Sequence, residues 1–135
     1  MTIEYKLQEI DILLPDDNTN TESKPYNSFV GFPGLVGIGT GLAIISGITE
    51  DYDGGYSISH VQSGYNIPLP ARISKLAQAQ QILEKTVPLL PSWDIPQKEV
   101  NKVIVATYGS MSILKDLLEA IYEQICGKVE DKKDF

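Results

Sequence analysis

The chain has 135 residues, 42% apolar and 21% charged, with 18 acidic against 11 basic side chains and a formal net charge of −7. That composition describes one globular domain long enough to bury a core without staples, and it excludes a disordered chain, a collagen-like fibre and a disulfide scaffold. With one His (His60), one Cys (Cys126), one Trp (Trp93) and one Arg (Arg72), the chain is poor in the side chains that zinc centres, iron–sulfur clusters and catalytic triads draw on, so no metal and no cofactor is expected.

The acids are scattered rather than striped. The tightest basic run, Lys132-Lys133, lies between Asp131 and Asp134. Phosphate neutralisation needs a clustered basic surface, so direct nucleic-acid binding is disfavoured and a solvated acidic surface is the simpler reading. No charged segment precedes a short apolar core near Met1, and a lone Cys fits a reducing cytoplasm, the expected location.

Taken in order, residues 3–14 alternate as Ile3, Tyr5, Leu7 and then Ile10, Ile12, Leu14, a strand pattern whose phase slips near Glu9 as a β-bulge would require. A helix would also put Ile3, Leu7, Ile10 and Leu14 on one face. Residues 15–28 are polar, short-sided and broken by prolines, which predicts a surface loop. Residues 29–48 then run uncharged for a membrane-spanning length, but six are Gly and one is Pro, and no basic residue flanks them. A buried strand pair is the favoured reading, with no membrane contact. Within it Gly37, Gly39 and Gly41 fall at period two, opposite Val36, Ile38 and Leu42. In a strand these glycines would leave one flat face for close packing or an interface.

Asp53-Gly54-Gly55 and Ser63-Gly64 read as turns, making 42–67 a three-stranded meander. After Pro68 and Pro70 a helix is predicted over 71–87, with Ile73, Leu76, Ala77, Leu83 and Val87 inward, and Pro88 ends it. Pro91 and Pro96 keep the next segment irregular, and Trp93 is expected to pin it to the core. Residues 100–107 are ambiguous: the β-branched run favours a strand, while Val100, Val103 and Ile104 suit a helix. The last helix, 110–126, is capped by Ser110 or Ser112, carries Leu114, Leu117, Leu118, Ile121 and Ile125 as its stripe, and stops at Gly127. The domain is thus 1–127, with a C-terminal tail at 128–135.

No stretch carries a complete catalytic or nucleotide-binding motif. The glycine run lacks the third Gly of a dinucleotide fingerprint and is followed by no Gly-Lys-Ser/Thr. His60 shares a strand face with Tyr56 and Ile58, where a lone His is more often a hydrogen-bonded structural residue than a catalyst. Cys126, late in a helix beside its stripe, reads as packing.

Ser59, His60, Ser63 and Gly64, followed by a helix and then Trp93, form a Ser-His-x-x-Ser-Gly hairpin over 56–93. This pattern resembles small uncharacterised proteins of bacterial plasmids and phages. The resemblance implies an accessory protein of a mobile element, brings no activity with it, and marks His60 and Ser63-Gly64 as important to the hairpin.

The expected fold is α+β: an antiparallel sheet of four or five strands with two helices, or three if 100–107 is helical, on one face. The expected function is a non-catalytic binding or interaction module, with Tyr52, Tyr56, His60, Ser63 and Tyr65 as contact residues and a protein partner among its ligands. Two alternatives stand beside it. One is a small hydrolase or transferase using His60 and Ser63; the other is a small-molecule binder over the glycine face. A homodimer is expected because the apolar run is long and the flat face admits a second copy. On the same reasoning, bulk at Gly39 should destabilise the fold or its association.

Overall fold

The computed structural model describes residues 3–15, 27–46 and 55–127. Four strands, β1 (Tyr5–Pro15), β2 (Asn27–Gly37), β3 (Leu42–Ser46) and β4 (Tyr56–His60), form one antiparallel sheet in the order of the chain. Three helices follow: α1 (Leu76–Thr86), extended by a 3-10 turn at Val87–Leu89, then α2 (Gln97–Tyr108) and α3 (Met111–Cys126). The α+β reading holds, with four strands and three helices. Among the described residues no helix is long and apolar enough to cross a membrane.

Strand register decides which side chains meet the helices. Leu35 pairs with Ile44 and Ile44 with Ile58, while Leu42 pairs with His60. This face carries Leu42, Ile44 and Ile58 into the main core, where they join Ile82 and Leu83 of α1, Val100 and Ile104 of α2, and Leu114 and Leu118 of α3. Each fully buried aliphatic side chain contributes about 1.5–3 kcal/mol to folding. The opposite face holds a second cluster of Ile10, Ile12, Phe32, Ala43 and Ile45, against which Val61 packs. A cavity of about 350 Å³ is lined by Gln8, Glu9, Ile10 and Asp11 on one side and by Val61, Gln62 and Ser63 on the other. The first strand therefore faces the end of the last one, so the sheet curls around the second cluster.

Curling explains the slipped phase of β1, and no bulge is present. Its pairing with β2 runs unbroken from Tyr5↔Gly37 to Pro15↔Asn27. Tyr5 packs toward the main core, Leu7 is exposed, and Ile10 and Ile12 are buried on the other side. The strand changes its buried face midway because its first residues pack against the main core and its middle belongs to the second cluster.

The glycine run is also corrected. Gly37 ends β2, and Gly39 and Gly41 lie in the turn to β3 with φ of 80° and 82°. Side-chain-free positions are needed there by the turn and not by a flat strand face. Close packing does occur at two of the three. A Cβ on Gly41 would sit 2.5 Å from the Trp93 carbonyl carbon, and one on Gly37 would sit 2.9 Å from Thr40 Oγ1, whereas Gly39 faces open space. The three glycines therefore do not share one flat strand face.

Several boundaries differ from expectation, and the open choice at 100–107 is resolved. Residues 71–75 are not helical, because Ile73 exchanges two backbone hydrogen bonds with Tyr56 (2.7 and 2.9 Å) and extends the edge of β4. Residues 65–67 form only a bridge at Asn66 opposite Ser59. The 100–107 segment is α2, with Val100 and Ile104 buried one turn apart and Gly109 ending it at a φ of 91°. Pro15, Asn27 and Ser28, expected in the loop, lie in strands; residues 16–26, the turn at Asp53-Gly54 and the tail 128–135 lie outside the described residues.

Candidate functional site

Alternation along β4 carries His60 inward, where it is 2% exposed. Its Nε2 lies 2.8 Å from the carbonyl oxygen of Trp93, and its Nδ1 lies 2.8 Å from Ser63 Oγ. A carbonyl only accepts, so Nε2 carries a proton and donates it. In the neutral ring Nδ1 then accepts from the Ser63 hydroxyl, whose oxygen in turn accepts from the Tyr65 N–H at 3.1 Å. The turn itself closes through the Gly64 N–H donating to the His60 carbonyl, with Gly64 at a φ of 78°. Every polar atom of the ring has a partner within this tie.

Trp93 is the other end of the tie and is 3% exposed. Its Nε1–H donates to the carbonyls of Thr86 and Val87 at 3.2 and 3.3 Å, gripping the end of α1. Its backbone rests against Gly41, and Gln62 Nε2 donates to Asp94 Oδ1 at 3.0 Å. One loop thus joins the β2–β3 turn, the end of β4 and the end of α1.

Of the expected contact residues, His60, Ser63 and Tyr65 meet in this tie, and the set as a whole does not share one surface. Tyr52 lies outside the described residues. Tyr56 sits at the start of β4, half-buried against the main core, and His60 sits at its other end. Ser63 lines the cavity facing β1, whereas His60 and the exposed Tyr65 line a separate groove of about 250 Å³ beside Val100, Met111 and Leu114.

Sequence reasoning missed a half-open cleft of about 680 Å³ beside the Trp93 loop. Ile3 and Glu4 form one wall, the turn Ile38, Gly39 and Thr40 another, and Glu84, Val87, Pro88, Pro91, Ser92 and Trp93 the third. The turn is braced by Thr40 Oγ1 donating to the Gly37 carbonyl (2.7 Å) and by the Ile38 N–H donating to the Glu4 carbonyl (2.8 Å). Ile38 is 53% exposed at its edge. Burial pushes the nearby Tyr5 phenol up to about 12, and the Glu84 carboxylate adds to the rise. Tyr5 Oη has no hydrogen-bond partner among the described residues. The one advance signal was the proline-flanked Trp93; the walls themselves come from three segments distant in sequence.

Comparison with protein-family models, with curated proteins and with solved structures found no match to this chain.

Proposed function

We propose that the protein is a non-catalytic binding module whose ligand occupies the cleft beside the Trp93 loop. The observation that carries this reading is the cleft itself. Its volume of about 680 Å³ falls among those of small-ligand sites; the Ile38 N–H bond to the Glu4 carbonyl joins two of its walls, and the His60–Trp93 tie anchors the loop that forms part of the third. A site held in shape before binding loses less freedom when it is filled. Such a module fits the accessory role in a mobile element that the hairpin resemblance implies.

The 2.8 Å contact of Ser63 with His60 is the observation favouring hydrolase or transferase chemistry. Three features weigh against it. The ring is buried, its second nitrogen is held by a backbone carbonyl, and the Ser63 oxygen already accepts the Tyr65 N–H. The same contacts serve a structural tie in full.

Fragment titration of the ¹⁵N-labelled protein tests the proposal. Binding should move the amides of Ile38, Thr40, Val87 and Ser92 together, and Ser63→Ala should leave any background ester hydrolysis unchanged. Turnover that disappears with Ser63→Ala, or shifts confined to the Ser63 cavity, would replace the binding module with the enzyme.

A further inference from the structure

Resting on that reading, we infer that the cleft takes a small organic cation, an ammonium or guanidinium group joined to an apolar body. Glu4 and Glu84 are the charged side chains among the lining residues, and both are acidic. Both are exposed, and the ion pair formed among the described residues is Lys102 with Glu99, so neither lining carboxylate is neutralised by a described cation. Between them lie apolar surfaces, with Ile38 half in water and Val87, Pro88 and Pro91 along the third wall.

The two halves of the ligand follow from this lining. An apolar body removes Ile38 and the proline rings from water. A cationic end is attracted by the Glu4 and Glu84 carboxylates, whereas an anion would be repelled by them and by a chain of net charge −7. A bare divalent cation is a poor match, because hard metals ask for about six oxygen ligands and an apolar wall supplies none.

The experiment titrates the full chain with three probes of similar shape, followed in ¹H–¹⁵N spectra: 2-phenylethylamine, 2-phenylethanol and 3-phenylpropionate. The amine should shift the amides of Ile38, Gly39, Thr40, Val87, Ser92 and Trp93 and bind more tightly than the alcohol. Glu84→Gln and Glu4→Gln should each weaken the amine by about two- to five-fold and leave the alcohol unchanged, as expected for exposed charge pairs. High salt should narrow the gap between amine and alcohol. Equal binding of amine and alcohol, unaltered by Glu84→Gln, would overturn the cationic inference and leave the binding cleft standing. Tighter binding of the propionate would do the same. Absence of shifts in the cleft with all three probes would overturn both readings.

Discussion

His60 Nε2 donates a 2.8 Å hydrogen bond to the carbonyl of Trp93, thirty-three residues further along the chain, and this bond holds the sheet to the loop that closes the helical layer. Removing the ring leaves that carbonyl buried without a partner and opens a void beside it. His60→Ala should therefore cost about 2–4 kcal/mol of stability, measured by urea unfolding. Ser63→Ala loses one partner of the same ring in a partly exposed turn and should cost about 1 kcal/mol. Equal costs for the two variants would show that the Trp93 bond adds nothing.

The two positive-φ glycines of the β2–β3 turn separate backbone strain from crowding. Gly39 meets open space, so Gly39→Ala bears the left-handed backbone alone, about 1–2 kcal/mol. Gly41→Ala bears the same strain and also drives a methyl into the Trp93 backbone, adding about 1–3 kcal/mol of overpacking. Gly39→Val is still expected to destabilise, but through its φ of 80° and not through a crowded face. Thermal unfolding of the alanine pair checks the order; a Gly39 variant less stable than the Gly41 variant would contradict the turn geometry.

Those glycines also show why parts of the fold were legible and others were not. Period-two spacing is shared by a strand face and by alternate residues of a turn, and only three-dimensional closure tells them apart. The uncharged 29–48 run did announce a strand pair, and the apolar stripe of α3 announced its helix, because each pattern matches one geometry. The β-branched residues of 100–107 favour a strand locally, yet Val100 and Ile104 lie one helical turn apart and their burial against the other helices decides the outcome. The pattern of 71–87 places Ile73 on the inner face of a helix because nothing local reveals its pairing with Tyr56. The candidate cleft was hidden for the same reason: Glu4, Ile38 and Glu84 become neighbours only when the β2–β3 turn lies beside the end of α1.

Alkaline pH should weaken the fold through Tyr5. Its phenol is raised from 10.0 to about 12, so the native state keeps a proton that the unfolded chain releases earlier. Stability from this group is complete below the unfolded value and is lost as pH rises through the folded one, in the window between 10.0 and about 12. The Tyr122 phenol, raised mainly by burial and further by Cys126, acts in the same direction. Denaturant midpoints across that window should fall less steeply for Tyr5→Phe than for the parent chain. An identical slope would show that the phenol titrates normally.

The thiol of Cys126 should react sluggishly. Burial raises it above its ordinary value, which lowers the thiolate fraction at any mildly alkaline pH. Alkylation by iodoacetamide should lag behind that of a free cysteine, and its pH profile should lie higher. A rate equal to that of the free amino acid would place the sulfur in water.

The curled sheet makes a distinct prediction for β1, where neighbouring apolar residues of one strand should differ sharply in worth. Ile12 is 3% exposed within the second cluster, so Ile12→Ala should cost about 2–4 kcal/mol through lost contacts and an unfilled cavity. Leu7 is 71% exposed, and Leu7→Ser should change stability by less than about 0.5 kcal/mol. A bulge at Glu9 would instead bring Leu7 and Ile12 onto one buried face, and both variants would then be costly. Denaturant unfolding of the two single variants therefore reads the geometry of the strand directly: a large cost at Ile12 with a negligible one at Leu7 requires the unbroken register from Tyr5↔Gly37 to Pro15↔Asn27, with the buried face changing sides between them.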